Sequence, residues 1–145
     1  MKKALASSTT KVVAEISTDS GQVDFSAAVL KAKQSGADGV MVGRGAYGKP
    51  WLLGQMMHWF RTGQTIDDPN IDTQFNLIMN HYRAMLDHYG NEVGVRIARK
   101  HVGWYTKGLN GSAEFRNFMN RIDDPKVVMD ELTRFYEPFL IKSAA

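Results

Sequence analysis

The sequence predicts a mainly α chain with a small α/β part, on three observations. Two short apolar runs, VVAEI at 12–16 and GVMV at 39–42, flank one helical segment near the start. From Thr65 onward no strand pattern recurs, and apolar residues repeat instead at three- and four-residue spacing. Glycine and proline then divide that second stretch into four helices.

Taken in order, VVAEI is a strand candidate followed by the turn-rich STDSGQ. DFSAAVLKAKQ at 24–34 is a helix, with alanines, Val29 and Leu30 at helical spacing, and Ser35 and Gly36 close it as a C-cap. GVMV reads as a buried strand, so the three elements make one β-α-β unit with parallel strands. Such a unit needs further strands beside it and cover on both faces. Pro50 opens a helix, WLLGQMMHWFRTG, that ends at Gly63. The remaining helices are expected over about 71–89, 92–107, 112–122 and 126–140. In the first, Phe75, Ile78, Met79, Tyr82, Met85 and Tyr89 form an apolar stripe; in the last, Val128, Leu132, Phe135 and Phe139 do. The tetrapeptide IDDP occurs at 66–69 and 122–125, where aspartate is expected to cap and proline to start a helix; Ser112 is expected to cap the short helix.

Size and composition exclude several classes. A chain of 145 residues is too short for a complete (β/α)8 barrel, which takes about 250. With no cysteine there is no disulfide, thiolate metal site or cysteine nucleophile. No stretch approaches the roughly 18 apolar residues of a membrane span, so no membrane partner is expected and cytoplasm is the default location. Net charge is +3, but it is concentrated. Between Asn91 and Arg121 lie Arg96, Arg99, Lys100, Lys107, Arg116 and Arg121 against only Glu92 and Glu114, which suggests one surface facing a polyanion.

Two constellations carry chemistry. In GADGVMVGRGAYGKPW at 36–51, Gly43, Arg44 and Gly45 follow the apolar run directly. Glycines at a strand end let backbone N–H groups approach a phosphate, and Arg44 adds charge; in α/β barrels the phosphate site often follows the last strands. A tight turn that merely needs glycine explains GRG equally well. Downstream, EVGVRIARKHVGWYTKG places Arg96, Arg99, Lys100 and Lys107 on a broad helix face opposite Val95, Ile97, Ala98 and Val102. Trp104 and Tyr105 lie beside them, the chemistry expected for RNA with exposed nucleotides. The plainer alternative is a solvated basic face with Trp104 in the core; Arg116 and Arg121 on the next helix favour one shared patch. His58, His81, His88 and His101 show no metal-ligand spacing and read as core or surface residues.

GADGVMVGRGAYGKPW and VRIARKHVGWYTKGLNGSAEFRNFMN together resemble the C-terminal part of bacterial tRNA-dihydrouridine synthases, particularly the B-type branch. The resemblance runs from about Ser35 to Phe139. It implies the terminal βα units of a TIM-type barrel followed by a helical bundle, divided as residues 1–64 and 65–145. It further implies an enzyme that reduces uridine to 5,6-dihydrouridine in tRNA, with FMN as cofactor, NADPH as electron donor and a loop cysteine protonating the base. Gly43 and Arg44 match the family's phosphate-binding Gly-Arg, and Arg96, Arg99, Lys100, Trp104, Tyr105, Lys107 and Arg116 are the expected tRNA-binding residues. The family's cysteine and earlier strands have no counterpart, so the chain alone is expected to bind tRNA and not to catalyse. Its uncovered strand edges call for the missing barrel portion or a second copy of the chain as a partner. A stand-alone RNA-binding module and a helical protein-interaction module remain alternatives.

Overall fold

The computed structural model describes residues 11–16 and 26–143. The expected turn STDSGQ and the first two residues of the expected helix at 24–34 lie outside them. The described residues fall into two compact units. One comprises the chain up to Ala46 together with Leu52–Ile66; the other comprises Tyr47–Trp51 and everything from Asp67.

In the first unit, α1 (Ser26–Gln34) packs on α2 (Leu52–Thr62), burying Ala32 and Leu52. The Lys33 ammonium lies 5.5 Å from the centre of the Trp59 ring. As the sequence predicts, α1 stops at Ser35 and Gly36: Gly36 has φ of 68°, and the Ser35 hydroxyl donates to the Ala32 carbonyl at 2.6 Å. The end of α2 is closed in the same way, with Gly63 at φ 73° donating to the Trp59 carbonyl.

The two expected strands do not form. Residues 12–16 and 39–42 take no regular secondary structure, with Met41 68% exposed. There is no strand, and hence no β-α-β pairing, among the described residues. A helix closes its hydrogen bonds within one segment. A parallel strand needs neighbouring strands, and among the described residues there is none beside the apolar runs.

The second unit is a four-helix assembly: α3 (Ile71–Tyr89), α4 (Asn91–Tyr105), α5 (Ser112–Met119) and α6 (Pro125–Ser143). Ile78, Met79, Tyr82 and Met85 of α3 meet Val95, Ala98 and Val102 of α4, Phe115 and Met119 of α5, and Val128, Leu132 and Tyr136 of α6 in one core. The predicted stripes on α3 and α6 therefore supply much of the core. Gly90, at φ 75°, joins α3 to α4 with its N–H on the Leu86 carbonyl. This lets α4 fold back on α3, and among the described residues these two helices pack most extensively against each other.

Caps account for the other differences from the expected pattern. In the second IDDP, Asp124 does cap α6, accepting from the Lys126 and Val127 N–H groups at 2.7 and 3.2 Å. In the first, Asn70 caps α3 by accepting from Thr73 N–H at 2.9 Å, which frees Asp68 for another role. Ser112 is the first residue of α5 and not its cap; Gly111 at φ 75° occupies that position. The helix also ends at Met119, short of the expected 122, where Asn120 turns the chain.

Candidate nucleic-acid interface

Helical periodicity in α4 sorts its residues cleanly. Val95, Ala98 and Val102 point into the core, and Arg96, Arg99, Lys100 and Trp104 share the face toward α5. With Arg116 and Asn120 of α5 they line an open groove of about 480 Å³ that has no carboxylate in its wall. Gly103 faces Arg116 across the groove: a Cβ there would lie 3.4 Å from Arg116 Cδ, an ordinary contact.

The cations differ in how free they are. Arg96 pairs with Glu92 at 3.0 Å across one exposed helical turn, an interaction worth about 0.3–0.5 kcal/mol and readily exchanged for a phosphate. Arg99 is committed: it donates to the Ile122 carbonyl at 3.1 Å and pairs with Asp123 at 2.6 Å, while its buried Nε has no partner. Its guanidinium thereby braces the loop between α5 and α6. Arg116 donates to the Ser112 hydroxyl at 3.3 Å, and Lys100 has no ion-pair partner among the described residues. Lys100 and Arg116 are thus the cations best placed to take a phosphate.

Two expected ligands stand elsewhere. Lys107 is exposed beyond the end of α4 and does not line the groove. Tyr105 is turned inward against the core, where its hydroxyl meets His81 Nδ1 at 2.7 Å and burial raises its pKa. One residue along a helix rotates a side chain by about 100°, so Trp104 and Tyr105 cannot share one face.

Trp104 is neither free nor part of the core. Tyr47 stacks on it with ring centres 4.1 Å apart and 14° between planes. Beside it Gly48, at φ 79°, approaches so closely that a Cβ would lie 2.8 Å from the Trp104 carbonyl oxygen. Lys49 Nζ and Trp51 Nε1 then donate to the two oxygens of Asp68 at 2.7 and 3.0 Å. Residues 47–51 therefore form a strap held onto the bundle at both ends, which sequence reading missed. The only signals were an aromatic inside GRGAYG and a surplus aspartate in the first IDDP.

Behind Trp104 runs a row of rings: His101 stands edge-on to it at 5.0 Å, and His81 edge-on to His101 at 5.0 Å. Burial lowers the pKa of both histidines, and His101 is lowered further by His81 and Lys100. Among the described residues no group of three or more histidines or carboxylates is arranged to hold a metal ion, and no helix is long and apolar enough to cross a membrane.

Gly43 and Arg44 belong to the other unit. Arg44–Ala46 is a single 3-10 turn, with Ala46 N–H on the Gly43 carbonyl at 3.3 Å. Both residues are exposed, and a Cβ on Gly43 would meet nothing within 4 Å. The turn is open and not a cradle.

The fold and groove together define a helical module with a cationic face between α4 and α5. The dihydrouridine synthase (Dus) family matches residues 21–140, and the chain belongs to it. Among its relatives is a "Probable tRNA-dihydrouridine synthase" of Rickettsia conorii, 50% identical over 113 residues, which is 78% of this chain and 34% of the relative. The "tRNA-dihydrouridine synthase B" of Xanthomonas axonopodis pv. citri is 42% identical over 109 residues, 75% of this chain and 32% of the relative. That of Pseudomonas syringae pv. tomato is 39% identical over 108 residues, covering 74% and 32%. The chain spans about a third of the length of these curated relatives.

Proposed function

We propose that this chain is the C-terminal, tRNA-gripping portion of a cytoplasmic tRNA-dihydrouridine synthase, and that residues 65–145 serve as its RNA-binding domain. The observation that carries this reading is the groove between α4 and α5, with Arg96, Lys100 and Arg116 in its wall and no carboxylate among the lining residues. Phosphates entering it would meet cations on two helices at once, and release of their counterions would make binding steeply salt-dependent.

Residues 1–64 are read as the end of an α/β barrel, with Gly43 and Arg44 serving an FMN phosphate in the whole enzyme. The exposed turn at 43–46 does not fit FMN by itself: a Cβ on Gly43 would meet nothing within 4 Å, and the turn offers one guanidinium. No reaction step is assigned to it. The chain also lacks the cysteine that the family uses to protonate the base. Reduction of uridine, with electrons from NADPH through the flavin, is therefore proposed for the whole enzyme and not for these residues alone. The remaining barrel, or a second copy of the chain, is the proposed protein partner, and the exposed Val40 and Met41 are suited to such cover.

A tRNA gel-shift titration at roughly 50 and 200 mM salt tests the proposal, with FMN absorbance followed in the same samples. The expected result is tRNA binding that weakens steeply with salt, without flavin retention and without dihydrouridine formation. If charge reversal at Lys100 and Arg116 leaves tRNA affinity unchanged, the groove does not bind RNA and a protein-interaction role takes its place.

A further inference from the structure

We propose that Tyr47 is a nucleobase-stacking residue, so that the RNA site extends from the cationic groove onto the strap; this rests on the reading of the groove as an RNA site. A stacking platform needs a flat ring with one open face, a fixed orientation and cations within reach of the adjoining backbone. Trp104, the obvious candidate on α4, already has Tyr47 stacked on it. Tyr105 is turned into the core. Tyr47 itself is 50% exposed and lies at the outer end of the stack.

Its orientation is set from three sides. Trp104 backs the ring at 4.1 Å and is braced edge-on by His101, which is braced by His81, which is bonded to Tyr105. A row of rings thus runs from the core to the strap. Gly48 seats the strap against the Trp104 backbone, where any side chain would push it away. Asp68 holds the far end through Lys49 and Trp51. Little rotamer freedom is left for Tyr47 to lose when a base arrives, and low ordering cost favours affinity. Trp104 also forms part of the groove wall with Lys100 and Arg116. An unpaired base on Tyr47 would therefore continue a strand whose phosphates lie along the groove.

The test uses the 145-residue chain and two fluorescein-labelled RNAs of equal length, a hairpin with an unpaired loop and a fully paired duplex. Binding is read by anisotropy at two salt concentrations. Tyr47→Leu keeps apolar cover over Trp104 but removes the ring. It should weaken hairpin binding roughly 5- to 150-fold, the range for loss of one stacked base. Duplex affinity and both salt slopes should stay at wild-type values, and Tyr47→Phe should restore hairpin binding. If Tyr47→Leu weakens neither RNA, or weakens both alike, the stacking role is overturned while salt-dependent wild-type binding upholds the groove. Should the wild type bind neither RNA, the groove reading fails first and the stacking role falls with it.

Discussion

Among the described residues three glycines lie inside helices, and the space around each predicts a different outcome for the same substitution. Alanine in a helix interior is favoured over glycine by about 0.8–1.0 kcal/mol. At Gly54 of α2 a Cβ would meet nothing within 4 Å, so Gly54→Ala should deliver most of that gain. At Gly103 of α4 the sole neighbour is Arg116 Cδ at 3.4 Å, part of a flexible side chain that can swing aside, so a smaller gain is expected. At Gly94 the added methyl would lie 3.0 Å from both Leu86 Cα and the Met85 carbonyl oxygen, and 3.1 Å from Leu86 Cδ2. Two of these three are backbone atoms of the facing helix, which can yield only if α3 and α4 separate. Overpacking of this kind costs about 1–3 kcal/mol, which outweighs the helical gain and leaves Gly94→Ala about 1 kcal/mol less stable. Urea titration followed by helical circular dichroism reads all three, with a change of midpoint at constant slope as the signature of altered stability. A Gly94→Ala chain as stable as the wild type would refute the reasoning, because it would mean the α3–α4 interface has slack that the close approach denies.

Other perturbations address the site and its support. Lys100→Glu and Arg116→Glu should each weaken tRNA binding and lower the salt slope by about 1, whereas Lys107→Glu, outside the groove, should change the slope less; titrations at several salt concentrations separate them. Asp124→Ala removes the acceptor for two N–H groups at the start of α6 and should cost about 1 kcal/mol in urea unfolding, while Asp68→Ala, which removes an exposed ion pair with Lys49, should cost less. His81 and His101 have folded-state pKa values below the ordinary 6.5, so under that pH the unfolded chain binds more protons and stability falls with acidification. A His81→Asn, His101→Asn double variant should therefore lose less stability than the wild type between about pH 7.5 and 5.5, as measured by the urea midpoint.

What could be read from the sequence follows the range of the forces involved. The bounds of α3 agree with the expected 71–89 because the apolar stripe and the turn at Gly90 are local. The cationic face of α4 was legible for the same reason: residues 96, 99, 100 and 104 share a side by helical geometry alone. Tyr105 was included with Trp104 by adjacency, which ignores the rotation between successive residues. Lys107 was included by extending the helix past Thr106, whose hydroxyl instead donates to the Val102 carbonyl at the helix end. The strands at 12–16 and 39–42 failed because pairing depends on partners that local pattern cannot supply. Tyr47 was missed because its role depends on Trp104, and no periodicity joins positions so far apart.

The strap also sets an order of events on the ribosome. Tyr47 and Gly48 are synthesised about 60 residues before α4 presents Trp104, an interval of roughly 3–12 s at ordinary elongation rates. Throughout it Tyr47 waits without its partner, whereas Lys49 and Trp51 meet Asp68 early in the interval. The Asp68 clamp can therefore form while the tyrosine is still bare, and closure over Trp104 follows once α4 is made, so docking of this short segment would report that α4 has formed while α5 and α6 are still to come.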